Sequence, residues 1–320
     1  MNNCFDFIVA IPTYNGEHRL PELLERLKNQ INTEQFSWAI VVVDNNSTDH
    51  TAKVVQSYQE NWQCPYPLYY CFEPKQGAAY ARQKAILEAT SELIGFLDDD
   101  NYPNSNWVSA AYKFSQQHSH VGAYGSQIHP NWEVEPTEDF HRITTFLAIT
   151  ERGNLPLLYQ AQKKILPPSA GLVIRRQAYL ESVPSQPILT GRVSGNMITG
   201  EDIEMVSYLQ KAGWEIWYNP DMEIYHQIPK VRLTREYLIP FFQGIGRSRY
   251  VTRMVNIKTI HQPFWLLLYL ANDLRKILLH LLKYRTKVKT DLVAACEMQL
   301  YISSLVSPFY LWKHGYLKSK

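Results

Sequence analysis

Phe96-Leu97-Asp98-Asp99-Asp100-Asn101 sets three consecutive carboxylates at the end of an apolar run. Ile94 to Leu97 is short, apolar and stopped abruptly by polar residues, which predicts the end of a buried strand. The acids therefore sit at a strand's carboxyl end, the edge of an open α/β sheet where ligands bind. Hard oxygen donors there suit Mg²⁺ or Mn²⁺ carrying a substrate diphosphate. Without a cation, crowded carboxylates repel one another, so a purely structural role is the weaker account.

The same pattern recurs upstream. Phe7-Ile8-Val9-Ala10-Ile11 is a strand candidate closed by the loop Pro12-Thr13-Tyr14-Asn15-Gly16. Behind Pro21, Leu20, Leu23, Leu24 and Leu27 recur at helical spacing. Ala39-Ile40-Val41-Val42-Val43 is a second apolar strand, ending in Asp44-Asn45-Asn46-Ser47-Thr48-Asp49 before a helix from Thr51. Leu68 to Phe72 predicts a third strand, followed by Glu73-Pro74-Lys75-Gln76-Gly77 and a helix through Ala85. Strand, helix, strand, helix is the pattern of a parallel sheet in an α/β protein. Right-handed crossovers bring the loops after these strands to one sheet edge, where they can converge. Asp44 reads equally as an acceptor for a base or ribose and as a turn or capping aspartate. Arg82, one turn into its helix, reads either as a solvated arginine or as one that reaches a phosphate or orients the acids.

Ile11-Pro12-Thr13-Tyr14-Asn15, Val43-Asp44-Asn45-Asn46-Ser47, Gly77 with Ala81-Arg82, and Asp98-Asp99-Asp100 stand in the order and spacing of family-2 glycosyltransferases. Pro167-Pro168-Ser169-Ala170-Gly171 and Gly200-Glu201-Asp202-Ile203-Glu204 continue the match, and the chain resembles that family to about residue 250. Within it, the chain is most similar to the enzymes of cyanobacterial hormogonium polysaccharide synthesis. The resemblance implies a GT-A fold: a Rossmann-like, mixed and mostly parallel sheet flanked by helices. It implies a catalytic domain over residues 1–232, with a nucleotide-binding part of about 1–126 and an acceptor-side part of about 127–232. Residues 233–320 then form a basic, amphipathic, helical C-terminal region.

By the same resemblance Pro12, Thr13, Asn15, Glu17 and Asp44 hold the base and ribose, and Arg82 lies near the pyrophosphate or braces Asp98. Asp98 contacts the ribose or the metal, and Asp98, Asp100 and His226 hold Mn²⁺ or Mg²⁺. Ala170 and Gly171 pass beneath the donor sugar, although packing alone also accounts for that glycine. Asp202 is the implied catalytic base, with Glu201 in support. Taken on their residues alone, these two acids open a helix that stops at Gly213, an ordinary place for negative charge. The implied activity is metal-dependent, inverting transfer from a nucleotide-sugar, commonly a UDP-sugar, to a saccharide or lipid-linked acceptor in exopolysaccharide or cell-surface glycan synthesis. The alternative is a non-catalytic GT-A-like subunit that binds nucleotide or helps assemble a polysaccharide synthesis complex.

At 320 residues and 45% hydrophobic content, the chain can bury a large core. Its net charge of +2 is unevenly spread: residues 1–229 carry 16 Lys and Arg against 26 Asp and Glu, and 230–320 carry 16 against 4. A basic tail suits anionic partners, either phosphates or a membrane surface. Pro263 to Tyr284 reads as an interfacial membrane anchor or as one arm of a helical hairpin packed on the catalytic domain or a second subunit. Asp273, Arg275 and Lys276 argue against its spanning a membrane. Long apolar stretches in the tail argue against an exposed arm for nucleic acid, so none is expected as a partner. Cys4, Cys64, Cys71 and Cys296 show neither a disulfide framework nor metal spacing, and no secretory leader is legible before Phe7. The expected location is cytoplasmic, with peripheral contact to the inner face of the plasma membrane; the oligomeric state is left open.

Overall fold

Apolar runs without alternation make the parallel strands. Phe7–Thr13 (β1), Trp38–Asp44 (β2), Leu68–Phe72 (β3) and Leu93–Phe96 (β4) pair in the order β3-β2-β1-β4, all parallel. Every residue of β2 is buried, as a strand covered by helices on both faces requires. Between these strands run Leu20–Lys28 (α1), Thr51–Glu60 (α2) and Ala78–Glu88 (α3). The α1 face read from its leucine spacing is the buried one: Leu20, Leu23, Leu24 and Leu27.

Beyond β4 the sheet continues with Asn101–Pro103 (β5), Val121–Trp132 (β6), Leu157–Leu158 (β7), Val173–Arg175 (β8) and Glu215–Ile228 (β9). Their order is β8-β6-β9-β5, with β7 also on β9, so nine strands form one mixed sheet among the described residues. β8 is antiparallel to β4 and β6, and β5 and β7 are antiparallel to β9. The parallel pairs β1 with β2, β2 with β3 and β1 with β4 lie among the first four strands. Trp107–Gln117 (α4) and Arg176–Ser182 (α5) complete the helices around it, and Phe7 meets Trp107 edge-on in the core. Strand order reverses at β1: the chain steps out through β2 and β3, then returns to β4 on the other side. The crevice at the carboxyl ends of β1 and β4 is where such sheets take ligands.

The structure, a computed structural model, describes residues 4–163, 165–193 and 195–317, and the chain divides into two compact units. The first unit runs to Asn131 and adds Ala148–Pro184 and Tyr208–Gln227; the second takes Trp132–Leu147, Ser185–Ser207 and the chain from Ile228. Residues 318–320 of the expected C-terminal region lie outside the described residues.

The second unit is built on Arg235–Met254 (α7), Gln262–Tyr284 (α8) and Leu292–Lys313 (α9). Asp291 caps α9 by accepting from Ala294 N at 2.8 Å. Tyr250 N donates to Ser307 Oγ at 3.0 Å, tying α7 to α9. Among the described residues α9 is the one helix long and apolar enough to cross a membrane, and half of that stretch is buried inside the molecule. The first part of Glu201–Lys211 (α6), through Ser207, also belongs to this unit.

Candidate functional site

Two loops at the sheet edge are stitched together by their own side chains. Asn15, at φ 51°, and Asn46, at φ 64°, turn the chain in the left-handed conformation that asparagine tolerates. Asn15 N donates to Ser47 Oγ at 2.9 Å, and Thr48 N donates back to Asn15 Oδ1 at 2.8 Å. Glu17 Oε2 accepts from His50 N at 2.8 Å. Thr13 and Asp44 are register partners at the ends of β1 and β2, as are half-buried Pro12 and Val43 one step earlier. Asp44 is buried and accepts from Ser47 N at 2.9 Å and from the Tyr70 hydroxyl at 2.8 Å. A third loop joins through Asn45, which donates to Lys75 O and accepts from Gly77 N, each at 2.7 Å.

The acidic turn after β4 splits its carboxylates. Asp99 points inward, accepting from the Thr13 hydroxyl at 2.5 Å, Arg19 Nε at 2.7 Å and Arg19 Nη2 at 2.9 Å. Burial pushes the Asp99 carboxyl upward, and Arg19 and Thr13 oppose it. Arg19 is held above its ordinary value by its hydrogen bonds to Asp99. Asp98 takes Arg82 Nη2 at 3.0 Å; the Arg82 side chain is 8% exposed and that of Asp98 32%. Of the two readings of Arg82, the one in which it orients the acids matches this contact.

Asn101 and His226 organise the rest of the turn. Pairing of β5 with β9 puts these residues opposite each other, across 125 residues of chain, and Gln227 N donates to Asp100 O at 2.9 Å. Asn101 Oδ1 accepts from Asp98 N at 3.0 Å, so its amide NH₂ faces the other way. That NH₂ reaches Asp100 Oδ1 at 3.2 Å and His226 Nδ1 at 2.8 Å. Nδ1 is thus the ring nitrogen turned toward Asn101. Asp100 Oδ1 lies 3.5 Å from that Nδ1, and both side chains are 9% exposed. Sequence reading passed over Arg19 and Asn101, although both flank the motifs it used.

Ala170 and Gly171 lie in the turn that enters β8. Gly171 has φ +66°, and a Cβ there would stand 2.3 Å from Ser126 Oγ. The same Ser126 hydroxyl donates to Gly171 O at 2.7 Å and accepts from Trp107 Nε1 at 2.9 Å. Close packing and backbone conformation both require the glycine. Glu201 and Asp202 stand in the first turn of α6, in the second unit, both partly exposed, and Asp202 Oδ1 accepts from Ile203 N at 2.8 Å. Their neighbour Glu204 is buried and accepts from Ile188 N at 3.0 Å and Leu189 N at 2.8 Å. Burial pushes its carboxyl up to about 7, against the pull of those two bonds.

The first unit thus gathers Pro12, Thr13, Asn15, Glu17, Asp44, Arg82, Asp98, Asp100 and His226 at one sheet edge. Among the described residues no cluster of three or more His, Cys, Asp or Glu is arranged to hold a metal by itself.

Residues 8–181, more than half of the chain, match the model of glycosyl transferase family 2. Over 113 residues, 35% of the chain, it is 32% identical to poly(ribitol-phosphate) beta-N-acetylglucosaminyltransferase TarS of Staphylococcus aureus, of which the match covers 19%. The chain therefore corresponds to about a fifth of that relative's length. It is 21% identical over 246 residues to succinoglycan biosynthesis protein ExoM of Rhizobium meliloti, covering 74% of this chain and 72% of that protein. Among solved structures it resembles mannosyltransferase PcManGT of Pyrobaculum calidifontis, with TM-score 0.56 and 17% identity over 100% of this chain and 77% of that one. The structure of TarS 1–349 with UDP gives TM-score 0.52 and 17% identity, over 97% of this chain and 92% of that one. These likenesses show the fold, which is GT-A.

Proposed function

The chain belongs to glycosyl transferase family 2, and on that footing we propose that it transfers a sugar from a nucleotide-sugar to an acceptor hydroxyl. The donor is a UDP-sugar, the acceptor a saccharide or lipid-linked sugar, and the product part of an exopolysaccharide or cell-surface glycan. The observation that carries this reading is the split acidic turn, with Asp99 drawn to Arg19, Asp98 on Arg82, and Asp100 beside His226. Support for UDP comes from TarS, whose structures hold UDP and UDP-GlcNAc, and for a nucleotide-sugar with a divalent cation more broadly from PcManGT, which holds GDP-Man and Mn²⁺. ExoM, named for succinoglycan biosynthesis, supports the polysaccharide setting. The narrower likeness to hormogonium polysaccharide enzymes rests on sequence resemblance, and a cytoplasmic location on the lack of a disulfide framework among the four cysteines.

Pro12, Thr13, Asn15 and Glu17 serve the base and ribose by shaping the β1 loop, and Asp44 stands at the end of the neighbouring strand. Arg82 keeps Asp98 oriented. Asp100 and His226, a carboxylate and an imidazole 3.5 Å apart, would hold a Mn²⁺ or Mg²⁺ ion that completes its shell with phosphate oxygens, and Asp98 on the same turn would add a second carboxylate. Bound there, the ion would supply positive charge against the departing diphosphate. Ala170 and Gly171 bring main chain, without a side chain at Gly171, to the donor sugar. Asp202 takes the proton of the acceptor hydroxyl, with Glu201 in support. That oxygen bonds to the anomeric carbon while the bond from carbon to diphosphate oxygen breaks, which inverts configuration.

The test is thermal melting with UDP, GDP and dTDP, each with Mn²⁺, Mg²⁺ or chelator, on the wild-type chain and on Asp100→Asn. A diphosphate at a hundred times its Kd stabilises by about 2.7 kcal/mol through mass action. The expected shift appears with UDP, needs the cation and is lost in Asp100→Asn. A shift with GDP or dTDP alone changes the donor but keeps the chemistry. No shift with any of the three, in a folded sample, sinks the donor site and favours an assembly subunit.

A further inference from the structure

Helix α8 is turned inside out. Its two buried residues are polar, Asp273 and His280. Asp273 receives Arg253 Nη1 at 2.5 Å and Nη2 at 2.9 Å, and His280 Nε2 lies 2.8 Å from Ala294 O. Lys276 shares that inward side, 5.6 Å from the Tyr301 ring. The opposite side carries Phe264, Leu267, Leu268, Leu278, Leu279 and Leu282, each between 45% and 72% exposed. These positions are spaced at three, four and fourteen, which puts them on one stripe of about 27 Å at 1.5 Å per residue. A helix bathed in water on that side buries its leucines; α8 exposes them and buries Asp273 and His280 instead.

Charge says which medium covers the stripe. Between Lys258 and Thr290 the chain has seven Lys and Arg and a single acid, Asp273, which is buried. Arg275 lies along the stripe, and Lys283, Arg285, Lys287 and Lys289 follow its end, all exposed. A second copy docking about a two-fold axis would set this basic patch against itself. An anionic bilayer offers an apolar layer for the leucines and phosphates for the cations at the same depth. The charges within the helix keep it in the surface plane and not across the membrane.

We infer that α8 is an interfacial helix by which the chain sits on an anionic lipid surface, its leucine stripe at the acyl boundary and its basic side chains on the lipid phosphates. This surface is independent of the transfer chemistry, and its test is separable from it.

The experiment is flotation of the full chain with vesicles of phosphatidylcholine alone, and of phosphatidylcholine with about a third phosphatidylglycerol, at low and high salt. Two exposed-face variants accompany it, Leu267→Asp/Leu278→Asp and Lys283→Glu/Arg285→Glu. Melting curves with and without UDP and Mn²⁺ check that each still folds. Wild type should bind the anionic vesicles at least about tenfold tighter than neutral ones, and each variant should lose about tenfold or more. Failure to bind anionic vesicles at low salt overturns the inference, as does equal binding by the leucine variant. So does a wild-type dimer, seen by sedimentation without vesicles, that the leucine variant converts to monomer. If the leucine variant fails to fold, the charge-reversal variant decides alone: unchanged binding overturns the inference.

Discussion

Asp99 and Glu204 are both buried carboxylates, and their surroundings treat them differently. Asp99 is met by a guanidinium and a hydroxyl, whereas among the described residues Glu204 is met by two backbone N–H groups. Replacing Arg19 by Met strands the Asp99 charge. Denaturant unfolding should show a loss of about 2 kcal/mol, less than for a wholly buried pair because the Arg19 side chain is 42% exposed. Adding Asp99→Asn to that variant should recover part of the loss. Glu204 stands near 7 in the folded chain against an ordinary 4.5, so folding takes up a proton between those values. The stability this confers is present below pH 4.5 and is lost as pH rises through 7, a swing of about 3 kcal/mol at 1.36 kcal/mol per unit. Wild type minus Glu204→Gln, measured by unfolding from pH 4.5 to 8, should trace that fall and then level off. The acidic turn as a candidate ligand edge was legible because crowded carboxylates repel one another without a cation, while the separate roles proposed for Asp98 and Asp100 come from the family resemblance. Which of the three adjacent acids pairs with Arg19 was not legible, since the fold brings Arg19 and Thr13 to it across about 80 residues.

At the level of elements, the parallel strands declare themselves by unbroken apolar runs, and α1 by its leucine spacing. β5 declares nothing: three residues, Asn101 to Pro103, become a strand only by pairing with β9. That register is what sets His226 beside Asp100. Helix α7 shows propensity losing to packing. A Cβ on Gly244 would stand 1.8 Å from Met197 O and 2.4 Å from Met197 C, both main-chain atoms that cannot swing aside. Alanine there gains about 1 kcal/mol of helix propensity but forces a separation costing about 3 kcal/mol. Gly244→Ala should therefore lower the melting temperature, whereas propensity alone says it should rise. For α8, periodicity identified an amphipathic helix, but only the tertiary structure says that Asp273 and His280 face in and the leucine stripe out.

For the whole molecule, the acids of the sheet edge and the candidate base belong to different compact units. Nucleotide binding and sugar transfer should then separate by mutation. Asp202→Asn should keep the melting shift with UDP and Mn²⁺ while transfer falls about a thousandfold, the range of a lost general base; Asp100→Asn should lose both. Titration with UDP followed by donor turnover on the same preparations checks this, and a lost UDP shift in Asp202→Asn would argue against the division of labour. The sequence by itself determined an α/β chain with a ligand edge, because hydrophobic period and turn chemistry are local, and four motifs in register pointed to the family. It also determined the charge split between the acidic body and the basic tail. Only the tertiary structure decided that Asp99 is an internal ion-pair residue, that Asn101 bridges Asp100 and His226, and that Gly171 is held by Ser126. Each of these depends on contacts between residues tens to more than a hundred positions apart, and no local pattern encodes such a contact before the sheet has closed.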